Sequence, residues 1–163
     1  MSEERAVRIM NAIGGDFHGP SSDLIWRIET LLGAEDEVYV DARLMSFDGT
    51  HGGVAVVLTP TRVIHAKWSA PAQRDGRQST ARVETWARKG LLTASIDAGQ
   101  EGDGVNADGD WARDWGEDWP YGGVLSLWYE GREQPLKLPL DSRTSRRKHF
   151  RTLLPALLAD LSQ

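Results

Sequence analysis

The chain has 163 residues, no cysteine, 40% hydrophobic and 26% charged residues, and a formal net charge of −5. This suits one folding unit with a real apolar core, and it excludes disulfides, thiolate metal sites and cysteine nucleophiles. The charge is local: residues 100–120 hold seven acids against Arg113 alone, a segment charge of −6 that leaves +1 for the rest. A nucleic-acid partner is not expected without a basic excess.

The first residues are charged and lack an apolar run, which argues against a signal peptide. No stretch has the length of a membrane span, so a soluble, cytoplasmic protein is expected. Ala6, Ile9, Met10 and Ile13 have helical spacing and predict a short helix over 3–13, stopped at Gly14-Gly15. A second helix is predicted over 23–32. Ser22 serves as N-cap, Leu24, Ile28, Leu31 and Leu32 form its apolar face, and Gly33 serves as C-cap.

The period then changes to two. Val38, Val40, Ala42 and Leu44 alternate with Tyr39, Asp41, Arg43 and Met45, the mark of a half-buried strand over 38–45. A turn over Asp48–Gly53 is expected next, then an apolar strand over 54–58. Thr59-Pro60-Thr61-Arg62 places proline where a type I turn favours it, and a third strand over 62–68 puts Ile64, Ala66 and Trp68 on one face. A polar, basic loop over 71–79 precedes strands expected at 81–87 and 91–98, the latter alternating Leu92, Ala94 and Ile96 with Thr93, Ser95 and Asp97. After the acidic segment, strands are expected at 124–130 and around Leu136, Leu138 and Leu140. Pro135 and Pro139 favour an edge position for the last strand. A closing amphipathic helix is predicted over 142–161, with Phe150, Leu153, Leu154, Leu157, Leu158 and Leu161 on one side. Pro155 is expected to kink or divide it.

Seven short strands followed by one amphipathic helix resemble the bacterial pleckstrin-homology-like (PH-like) domains. The resemblance rests on Val54–His65, an apolar strand, a Leu-Thr-x-x-Arg turn and a second apolar strand, and on Leu31–Val38, a helix end, glycine, acids and first strand. It covers roughly residues 31–161. It implies an α+β, mainly antiparallel fold: a seven-stranded half-open barrel capped by the terminal helix, with a helical segment over 1–35 before a PH-like domain over 36–163, the whole a single folding unit. It also implies a binding or scaffold role. Members that bind phosphoinositides carry bases between strands one and two. Here Phe47–Gly53 holds one acid and neither lysine nor arginine, which argues against that ligand.

No nucleophile elbow, phosphate-binding loop, dinucleotide fingerprint or zincin motif occurs, so no catalytic residue, metal or cofactor is assigned. His18, His51, His65 and His149 lack ligand-like spacing. Asn106, Asp108 and Asp110 alternate as oxygen donors, but Trp111 stands where a calcium loop needs glycine. Two segments stand out. Trp111, Trp115 and Trp119 recur every four residues beside Asp110, Asp114 and Asp118. The candidate partner-binding residues are Trp111, Asp114, Trp115, Asp118 and Trp119, because tryptophan is a favoured interface anchor; packing of the same rings onto the fold is the competing reading. Arg143, Arg146, Arg147, Lys148 and Arg151 place +5 near the start of the last helix and are candidates for binding an anion, including the chain's own acidic segment. The sequence therefore points to a non-catalytic module that binds an unidentified protein or self-associates. The alternatives are a small hydrolase-like enzyme around Asp48, His51 and the acidic segment, and a peripheral binder of anionic membranes.

Overall fold

The computed structural model describes residues 3–14, 20–71, 79–98, 123–140 and 144–161; the side chains of Phe47, Asp97, Ala98, Gly123 and residues 144–151 lie outside that description. Two compact units result, Met1–Ala87 and Arg88–Gln163.

The first unit contains α1 (Glu3–Gly14), α2 (Ser22–Leu32) and strands β1 (Tyr39–Phe47), β2 (Thr50–Leu58), β3 (Arg62–Pro71) and β4 (Thr80–Ala87). Both helices form where the apolar spacing predicts them. The α2 cap is Ser21, one residue earlier than expected: its extended backbone lets Oγ accept from the Leu24 N–H at 3.3 Å. Gly33 ends α2 at φ +62°, and its N–H donates to the Glu29 carbonyl.

The four strands form an antiparallel meander in the order β1-β2-β3-β4. The β1–β2 turn is only Asp48-Gly49, both at positive φ, and Phe47 pairs with Thr50. This is the two-residue hairpin geometry matching the natural strand twist. Thr50 to Gly53, expected in the turn, instead belong to β2. One sheet face meets the helices: Val40, Ala42 and Leu44 of β1, Ala55 and Val57 of β2, Ile64, Ala66 and Trp68 of β3 and Ala81 and Val83 of β4 pack with Ile9, Ile13, Leu24, Ile25, Ile28 and Leu32. Period-two alternation in the strands and 3.6-residue spacing in the helices thus converge on one core. Val38, grouped with this face by alternation, precedes β1 and is exposed.

The second unit contains a short 3-10 turn (Arg88–Gly90), strands β5 (Leu91–Ala98), β6 (Gly123–Tyr129) and β7 (Leu136–Leu138), and α3 (Thr144–Asp160). Its antiparallel sheet has the order β5-β6-β7. Leu127 lies opposite Ala94 and Leu136, and Leu125 opposite Ile96 and Leu138. β7 is an edge strand, as its prolines favour, and it ends before Leu140 because Pro139 has no N–H to donate. A register shift between Leu91 and Thr93 buries Leu91 and leaves Leu92 exposed; Ile96 is exposed as well. α3 runs through Pro155 as one helix. Among its described side chains Leu153 and Leu157 are buried and Leu158 is exposed, as is Leu161 just beyond the helix, so the covered stripe there is narrower than the leucine count suggests.

The fold is α+β with antiparallel sheets. Among the described residues the strands pair as two open sheets of four and three strands.

Candidate functional site

The sequence nominated two segments. Trp111, Asp114, Trp115, Asp118 and Trp119 lie outside the described residues, and so does Arg143. Arg146, Arg147, Lys148 and Arg151 fall in the first half of α3, where successive turns place Arg147 and Arg151 on one stripe of the backbone helix. Asp48 and His51, the nucleus of the enzyme alternative, occupy different settings. Asp48 is an exposed turn residue at φ +46°, while His51 is a half-buried strand residue opposite Ser46 and Ala70. His65 lies opposite the helix-covered face, as its position between Ile64 and Ala66 predicts. Its ring centroid is 6.1 Å from that of Trp86.

The sheet of the first unit has a second face built from the alternate residues. Tyr39, Val56, Leu58 and Val63 are buried there, and Asp41, which alternation placed on an exposed side, is fully buried and accepts from the Tyr39 hydroxyl at 2.9 Å. Towards the other end this face carries exposed cations. Arg43 pairs with Val54, Val54 with Lys67, and Lys67 with Arg82, so the three bases form one row across four strands. The adjoining row is Met45, Gly52, Ser69 and Thr80, with Met45 49% exposed. Like charges directly opposite each other, as at Lys67 and Arg82, oppose sheet pairing. Arg82 of this row forms an ion pair with Glu84 of the neighbouring row, at 3.1 Å.

A polar network at one end of the same unit went unread in the sequence. Arg5 on α1 forks onto Glu29 of α2, both nitrogen–oxygen distances 2.7 Å, and donates to the carbonyls of Gly33 and Glu35. Arg8 pairs with Glu37 at 2.9 Å. The Glu35 carboxylate accepts from the Thr59 hydroxyl (2.6 Å), the Thr61 hydroxyl (2.7 Å) and the Thr61 N–H (3.1 Å), with Arg62 at 3.3 Å. These bonds tie the end of α2 to the β2–β3 turn. The legible signal was a charge on the apolar side of each helix, Arg5 beside Ala6 and Ile9, and Glu29 beside Ile28 and Leu32.

The threonine hydrogen bonds hold the Glu35 carboxyl below the usual glutamate range. A carboxyl lowered in the folded state stabilises the fold above its unfolded value, about 4.3, and loses that contribution as pH falls through the lower folded value. Glu35→Gln should therefore flatten the decline in melting temperature on acidification below about pH 4.3. An unchanged decline would dismiss this role for Glu35. In the second unit, burial pushes the Tyr129 phenol upward, and Arg88 holds Asp160 of α3 at 2.8 Å.

Among the described residues no three histidine or acidic side chains converge as a metal site, and no helix is long and apolar enough to cross a membrane. Comparison with protein-family profiles, curated proteins and solved structures finds no match for this chain.

Proposed function

We propose that this chain is a non-catalytic binding or self-assembly module of the bacterial PH-like kind, acting in the cytoplasm with another protein or a second copy as its ligand. The observation that supports this reading is the order of elements: a four-stranded antiparallel meander, a three-stranded one, then a single C-terminal helix. A half-open barrel capped by α3 is part of the proposal. Fold order alone does not select a ligand. The β1–β2 hairpin adds the absence of lysine and arginine from Asp48 to Gly53, which disfavours inositol phosphates.

Trp111, Trp115 and Trp119 remain the proposed anchors. Replacing all three by alanine should abolish capture of the partner, or of a differently tagged second copy, while moving the melting temperature by little. A large fall in melting temperature would instead assign the rings to the fold's interior.

A further inference from the structure

We infer that the cationic row Arg43, Lys67 and Arg82 is the docking surface for the acidic, tryptophan-bearing segment 100–120 of a second copy of this chain. The inference deepens the self-assembly reading above and rests on it.

Register carries the geometry. Arg43, Val54, Lys67 and Arg82 are successive cross-strand neighbours. With strands about 4.8 Å apart, Lys67 and Arg82 arise about 5 Å from each other, and Arg43 about 10 Å from Lys67. All three are exposed, Arg82 with 78% of its side chain accessible. Among the described residues Glu84 offsets one of the three charges, which leaves the row a positive excess. A lysine directly opposite an arginine costs sheet stability, and an acidic ligand would relieve that repulsion.

The occupant follows from charge and side-chain chemistry together. The segment at 100–120 carries −6 in a chain whose remainder carries +1, so the complementary charge lies within the same sequence. Its acids alternate with rings as Asp110-Trp111, Asp114-Trp115 and Asp118-Trp119. The surface is mixed in kind as well, with half-buried Val54 among the bases of the row and exposed Met45 in the adjoining row. Carboxylates meet the bases, while indole rings meet arginine faces and the methionine thioether. A purely anionic ligand such as a lipid headgroup would use the charges and leave Met45 and Val54 without a counterpart.

Sedimentation velocity of the full chain across a concentration series tests this. At low salt the wild-type chain should associate reversibly, and about 0.5 M NaCl should dissociate it, because exposed charges are screened within a few ångströms there. Arg43→Gln/Lys67→Gln/Arg82→Gln should weaken association about tenfold, the sum expected of three exposed charge pairs. Asp110→Asn/Asp114→Asn/Asp118→Asn should do the same, and an equimolar mixture of the two variants should recover association through the one intact row and the one intact segment. Arg146→Gln/Arg147→Gln should leave association unchanged. The substituted row residues are exposed, so melting temperatures should stay close to wild type.

A monomeric wild-type chain at low salt would sink both the self-assembly reading and this inference. Association that survives the row substitutions, or that fails with the α3 substitutions, would overturn this inference alone. So would row-dependent sedimentation with vesicles containing phosphatidylserine in place of self-association.

Discussion

Arg5→Met should destabilise the first unit by about 3–5 kcal/mol, because it leaves the Glu29 carboxylate buried without its partner. Glu29 is 1% exposed and receives two bonds of 2.7 Å from the one guanidinium. The same substitution removes the donors that reach the carbonyls of Gly33 and Glu35, and so frees the end of α2 and the segment leading to β1. Arg5→Met/Glu29→Leu replaces both charges by apolar groups and should recover most of the loss, since paired removal leaves no buried charge. Urea unfolding followed by far-ultraviolet circular dichroism and tryptophan fluorescence, read as a double-mutant cycle, measures the coupling. A single substitution costing under about 1 kcal/mol would place this pair with ordinary surface bridges.

A comparable effect is expected at Gly52, where alanine should cost about 3 kcal/mol through overpacking against backbone. A Cβ at Gly52 would strike the Trp68 carbonyl oxygen and lie 3.1 Å from the Ser69 Cα, both fixed by β2–β3 pairing. At Gly53 a Cβ would lie 2.6 Å from the Trp68 ring and 2.7 Å from the Arg43 carbonyl oxygen. Gly90→Ala is the matched control. Its nearest neighbour, the Glu130 Cβ, would be 3.8 Å away, so the cost should stay within about 0.5 kcal/mol. Thermal melts of the three variants test the contrast. Equal stability of the Gly52 and Gly90 variants would refute the close-approach account.

These glycines show where local reading reaches its limit. Asp48-Gly49 and Gly52-Gly53 are equally good turn material in sequence, yet only the first pair turns the chain. The second pair lies flat in β2 because β3 and the Trp68 ring need the space that a side chain would fill. Similarly, the alternation holds from Tyr39 to Met45, but Asp41 is buried opposite the helix-covered face and bonded to Tyr39. Alternation tells which residues share a face and is silent on which faces become covered.

The candidate surfaces divide in the same way. The acidic tryptophan segment and the α3 bases are visible as runs, since proximity in sequence is all that a run requires. Arg43, Lys67 and Arg82 are separated by 24 and 15 residues in sequence, and only strand register makes them neighbours. Arg5 and Glu29 are likewise 24 residues apart and meet because α1 and α2 bury adjoining faces on the sheet.

By itself, the sequence determined the elements and their order: two amphipathic helices, seven short strands and a closing helix, each written in a period of 3.6 or 2 and punctuated by glycine and proline. It also determined where the charge is concentrated. Tertiary structure alone decided which strands pair, which leucines of α3 are covered, which glycines serve packing, and which distant charges become a buried pair or an exposed row. The reason is physical: periodicity is a local property of the chain, whereas register, burial and ion pairing depend on residues that folding brings together.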